Sequence, residues 1–90
     1  MKQISFNYFQ KVELRKGTIK EVEAFPEAHT PAYILTVDFG EDIGVKRSSA
    51  QIPDLYSPED LMKKEVIAVV NFPPKQIGPV MSECLVTGFL

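Results

Sequence analysis

Between Pro31 and Gly40 the chain places Tyr33, Leu35, Val37 and Phe39 at every second position. A period of two marks a strand with one face turned to a core. Segments around it carry related patterns, cut short by proline and glycine. From Lys11 to Val22 apolar and polar residues alternate, and Gly17 marks a bulge, which predicts a long bent first strand. Phe25 to Pro31 carries two prolines and reads as loop. Gly40-Glu41-Asp42-Ile43-Gly44 is a glycine-bracketed hairpin connection leading to a third strand, Val45 to Ile52, which Pro53 ends. Val66 to Phe72 is apolar on both parities and predicts a central strand. Pro73-Pro74 breaks it, Gly78-Pro79 turns the chain, and Cys84 to Phe89 predicts a fifth strand.

Two short helices complete the pattern. Ser57-Pro58-Glu59-Asp60 combines a capping serine, a first-position proline and acids suited to the positive end of a helix dipole. Ser5 to Phe9 predicts an N-terminal helical turn capped by Ser5, with Phe6 and Phe9 on one side. Five strands with one short helix between the third and fourth form the layout of an all-β, five-stranded OB-fold barrel. An SH3-like barrel competes, but it usually lacks a capped helix at that point. OB barrels commonly present oligonucleotides or sugars to the face of strands two and three. Ninety residues make one such domain, spanning 1–90.

Composition removes several function classes. With 44% hydrophobic and 24% charged residues the chain is no disordered segment. Its longest apolar run, Val66 to Val70, is far short of the ~20 residues of a membrane helix, so no membrane insertion is expected. Met1 to Ser5 lacks the apolar stretch of a signal peptide, which makes the cytoplasm the expected address. One cysteine and one histidine leave no disulfide framework and no zinc site, and nothing suggests a cofactor. The net charge of −2 argues against coating nucleic acid by bulk charge, yet the charge is polarised. Lys2, Lys11, Arg15, Lys16 and Lys20 face only Glu13 in residues 1–20, six acids follow in 21–45, and Lys46-Arg47 reverses the sign. Such a molecule can offer a local basic face, and a solvated mixed surface has the same composition.

Catalysis finds little support. His29 stands in a proline-flanked loop, and Cys84, beside Leu85 and Val86, reads as a buried inert thiol. Binding chemistry is better supplied. Lys46 and Arg47 alternate faces on a regular strand, and Ser48, Ser49 and Gln51 add short hydrogen-bonding groups beside them. Arginine forks onto phosphate and hydroxyls suit sugar contacts, although an exposed polar strand has the same residues. Lys75 and Gln76 follow Pro73-Pro74 on a stiffened loop, and Asn71 either caps backbone groups there or contacts a ligand. Phe72, Ile77, Val80 and Met81 form an adaptable apolar patch if exposed and close the barrel end if buried.

Four ordered segments go further. Phe9 to Ile19, Lys46-Arg47-Ser48-Ser49-Ala50-Gln51-Ile52, Asn71-Phe72-Pro73-Pro74-Lys75-Gln76-Ile77 and Met81-Ser82-Glu83 resemble the tRNA-binding OB-fold domains, in particular the CsaA-like proteins. Those are in turn similar to the C-terminal domains of methionyl-tRNA synthetases. Glu83 after Ser82, where the synthetase-linked branch usually has glycine, sides with the CsaA-like branch. The resemblance implies a non-catalytic module binding tRNA or structured RNA through Lys46, Arg47, Ser48, Ser49, Gln51, Asn71, Lys75, Gln76 and Ser82. As an alternative it implies a protein-export chaperone, holding unfolded preproteins on Phe72, Ile77, Val80 and Met81, and, third, a module that delivers tRNA to an aminoacyl-tRNA synthetase. Family members continue past the fifth strand, whereas these ninety residues end at Leu90, so the family's C-terminal extension is not among them. The family's paired subunits and the aromatics Phe6, Tyr8 and Phe9, too few to form a stable turn alone, together predict a homodimer interface there.

Overall fold

A computed structural model describes residues 1–25, 32–50, 57–78 and 80–90. Helix α1 (Phe6–Gln10) precedes β1 (Leu14–Phe25), β2 (Ala32–Asp38), β3 (Val45–Ala50), α2 (Pro58–Leu61), β4 (Glu65–Val69), β5 (Lys75–Ile77), β6 (Val80–Ser82) and β7 (Leu85–Phe89). Five of these strands form a sheet in the order β3-β2-β1-β4-β7, and β5 and β6 pair as a separate ribbon. Every pairing is antiparallel. The sheet curls into a half-barrel of OB-fold type, with α2 between β3 and β4.

The curl depends on β1, which serves two partners in turn. Leu14 to Thr18 pairs with β4, and Thr18 to Phe25 pairs with β2. The ladder is irregular between Ile19 and Glu21, not at Gly17 as the sequence pattern suggests. The bulge falls where the strand changes partner, a long-range event that a local glycine signal does not report. Gly17 has another task. It pairs regularly with Val66, and a Cβ added to it would lie 2.6 Å from Val37 Cγ1 and 2.7 Å from the Phe39 ring. A missing side chain is what lets β2 fold in this closely.

The core lies inside that curl. Ile19, Leu35, Val37, Leu61 and Val66 are fully buried, with Tyr33, Phe39, Val86 and Phe89 packed around them. The expected face of β2 is therefore the core face. Leu61 is the one buried residue of α2, which makes the helix a plug. Its start is built as expected. The Ser57 hydroxyl accepts the Asp60 N–H and the Asp60 carboxylate accepts the Ser57 N–H, with Pro58 in the first turn. These bonds hold the Asp60 carboxyl below its ordinary pKa.

Other expectations change. Ala32 and Ile34, on the opposite parity of β2, are buried beneath Val80 and Ile77, so the ribbon covers the outer side of the sheet. Lys75 and Gln76, read as loop, are the start of that ribbon. β4 stops at Val69, and Asn71 continues its pairing by side chain. Its Oδ1 accepts the Glu13 N–H at 2.9 Å and its Nδ2 donates to the Lys11 carbonyl at 2.7 Å. Cys84 is buried just before β7 and not within it. Ser5 occupies the cap position of α1 without a side-chain bond, and α1 buries none of its residues. Gln51, Ile52, His29 and Pro79 lie outside the described residues.

Gly17→Ala should lower stability by about 1–3 kcal/mol, because the new methyl group collides with Val37 and Phe39. Gly88→Ala, with open space around its Cβ, should stay within about 0.5 kcal/mol of the parent. Urea unfolding of both variants checks the contrast, and equal midpoints would refute the packing role given to Gly17.

Candidate nucleic-acid interface

Pairing with β2 decides which way β3 presents its residues. Lys46, Ser48 and Ala50 stand opposite Val37, Leu35 and Tyr33 and so share the core parity. Arg47 and Ser49 stand opposite Thr36 and Ile34 on the outer parity. Lys46 and Arg47 therefore do alternate. Ser48 is corrected by the same register: it is 1% exposed and its hydroxyl donates to the Cys84 carbonyl at 3.0 Å, which removes it from any contact surface. Lys46 is half-buried on that side, and Arg47 is exposed.

The far edge of β3 is closed by the end of β6 and the residue that follows it. Glu83 N–H donates to the Arg47 carbonyl at 2.8 Å, and the Arg47 N–H donates to Glu83 Oε1 at 3.1 Å. Two places on, the Ser49 N–H donates to Ser82 Oγ at 3.3 Å, and that hydroxyl donates to the Cys84 carbonyl. A carboxylate and a hydroxyl thus do for β3 what a neighbouring strand's carbonyls would do. Glu83 entered the sequence reading only as a branch marker; its acceptor role had no local signal.

This closure assembles the candidate site. Lys75 is the cross-strand partner of Ser82 in the ribbon, so Lys75, Ser82, Ser49 and Arg47 come together from three strands. Neither Arg47 nor Lys75 forms an ion pair with a described residue. Gln76 lies beside Lys75 and spends an amide proton on the Gly78 carbonyl at 2.8 Å. Asn71 is not part of the cluster by chemistry, since both ends of its amide bind backbone. The outer sheet face is also not uniformly basic. Glu21 faces Thr36 and Glu23 faces Ile34 from β1, so acids stand two strands away in the same rows as Arg47 and Ser49.

The apolar candidates separate. Phe72 and Met81 are 48% and 43% exposed, Ile77 is half-buried, and Val80 is buried against Ala32 and Ile34. Val80 is thus structural and not a free peptide contact. On α1, Phe6, Tyr8 and Phe9 are all more than half exposed, and Lys11 places its ammonium 5.7 Å from the Tyr8 ring centre. Burial raises the Cys84 thiol above its ordinary pKa, which leaves little thiolate for chemistry. Among the described residues no group of three or more His, Cys, Asp or Glu side chains could hold a metal ion, and no helix is long and apolar enough to cross a membrane.

Comparisons with known proteins converge on one family. The crystal structure of a CsaA chaperone protein from Picrophilus torridus is 53% identical, with a TM-score of 0.92 over 96% of this chain and 79% of that one. That of the chaperone CsaA from Bacillus anthracis is 47% identical, with a TM-score of 0.90 over 97% and 78%. The methionine–tRNA ligase of Pyrococcus furiosus is 36% identical over 83 residues, which are 92% of this chain and 11% of that enzyme. The chain thus spans about a tenth of the length of such ligases. The family model described as "Putative tRNA binding domain" matches residues 14–89, from the start of β1 to the end of β7. The chain belongs to this tRNA-binding-domain family, and within it is similar to the CsaA proteins.

Proposed function

We propose that the domain binds tRNA without catalysing a reaction, holding backbone and ribose groups on the outer side of β3 and the β5–β6 ribbon. The observation that carries this is the juxtaposition of Arg47, Ser49, Ser82 and Lys75, in a chain whose family is described by tRNA binding. In this reading Arg47 forks onto a phosphate and Lys75 supplies a second, point-like charge. Ser49 and Ser82 offer hydroxyl contacts, with Gln76 beside Lys75, whereas Lys46, on the core parity, stands apart from this outer face. Asn71 acts by holding the backbone that leads into the ribbon. So few cations read shape and backbone more than sequence.

Avidity completes the proposal. Helix α1 leaves Phe6, Tyr8 and Phe9 uncovered, which supports a homodimer whose two modest sites act on one tRNA. Cytoplasmic work beside an aminoacyl-tRNA synthetase fits the same role. A second reading, holding unfolded preproteins for export, is supported by the relatives named as chaperones and by exposed Phe72 and Met81.

Arg47→Ala and Lys75→Ala should each weaken tRNA binding by about 1 kcal/mol or more, roughly fivefold in Kd, with unchanged melting curves. Log Kd should shift with log salt at a shallow slope of about 2–4. Titration of labelled tRNA at several salt concentrations measures both, beside an unfolded preprotein. Full tRNA affinity in both variants would contradict the assigned face, and tight binding of the preprotein alone would favour the second reading.

Sedimentation at micromolar concentration should give about twice the chain mass of 10.1 kDa. Phe6→Asp combined with Phe9→Asp should halve it, whereas a parent monomer would refute the pairing.

A further inference from the structure

The irregularity in β1 gathers a second set of cations. Where β1 leaves β4 for β2, Ile19 is stitched to the link between α2 and β4: its N–H donates to the Lys64 carbonyl and its carbonyl accepts the Lys63 N–H, both at 2.9 Å. These two bonds set exposed Lys20, next in sequence to Ile19, beside Lys63 and Lys64. Lys16 stands on the same stretch of β1 and reaches Glu65 at 3.1 Å. Two of the four nearby acids are engaged: Glu65 takes Lys16 and Asp60 closes the α2 cap, whereas Glu21 and Glu59 form no ion pair with a described residue. Lys20 and Lys63 are exposed and form no ion pair with a described residue.

Lys63 carries an independent mark. It has φ +66, the sole positive φ among the described non-glycine residues, just past the C-cap of α2. Helices usually place glycine or asparagine in that left-handed position, because a Cβ crowds the backbone there. The backbone task at this point, donation to Ile19, needs no side chain. A lysine in a conformation that favours glycine points to work for its ammonium group.

We infer that this corner is a second contact for the sugar–phosphate backbone of RNA, an extension that rests on the tRNA reading proposed above. Lys20 and Lys63 neutralise phosphates there, while Lys16 is held by Glu65. The corner is connected to the proposed face by one row of the sheet. Ile19 pairs with Val37, and Val37 pairs with Lys46, the neighbour of Arg47. Two strand spacings, about 10 Å, separate Ile19 from Lys46 along that row. One RNA backbone is long enough to engage both places.

The test uses Lys63→Gly, Lys20→Ala and the double variant, each titrated with tRNA across a salt series and melted thermally. Lys63→Gly should melt at or above the parent temperature, since it relieves the left-handed strain, yet bind tRNA several-fold more weakly. The salt slope should fall by about 1 for each lysine removed. Lys20→Ala, at an exposed position, repeats the binding test without touching that turn. Parent-like affinity and slope in the double variant, with Arg47→Ala still impaired, would overturn the corner and leave the proposed face intact. A parent that fails to bind tRNA would overturn both. Polyglutamate that displaces tRNA from the parent but not from the double variant would assign the corner to an acidic protein instead.

Discussion

An open sheet that curls has two edges, and each unpaired edge invites another chain. Here the β3 edge is the decisive one. It is closed by Ser82 and Glu83, through a backbone donor, a carboxylate and a hydroxyl arranged along two residues of β3. Curling brings those partners within reach. That curl in turn requires the close approach at Gly17, where Val37 and Phe39 occupy the space of a missing side chain. Remove the closure and the β5–β6 ribbon loses its anchor on β3, together with the covering of Ala32 and Ile34.

The same closure explains why the candidate residues meet. Arg47 is gripped on both its backbone N–H and its carbonyl, so its position is set before any ligand arrives. Prior placement lowers the ordering cost of binding, which matters for a surface with few cations. Lys75 is delivered by its pairing with Ser82, whose hydroxyl is itself fixed by Ser49 and Cys84. Fold closure and the placement of the candidate residues rest on one set of hydrogen bonds. A substitution at Glu83 thus acts on both.

Much of this was legible from residues alone where the cause is local. The period of two in Tyr33 to Phe39, the glycines that bracket the hairpin at Gly40 and Gly44, and the Ser57–Asp60 capping box are short-range patterns with short-range physics. The alternation of Lys46 and Arg47 was equally readable. Which parity faces inward was not, since it depends on register against β2, and Ser48 was misassigned for that reason. The three-residue strands of the ribbon are too short to show a period. The bulge reflects a change of partner and had no local signal; backbone capping by Asn71 was one of two readings, but its partners some sixty residues away were not readable locally. Four ordered motifs reached the family that the comparison over residues 14–89 shows, because they are spread along most of the chain.

The central claim is that RNA lies on the surface assembled by the β3 closure. An amide chemical-shift map of the isotopically labelled domain, titrated with tRNA, tests it residue by residue. The account predicts the largest shifts at the amides of Arg47, Ser49, Lys75 and Ser82. Shifts confined to α1 and Phe72, with those four amides unmoved at saturation, would contradict it.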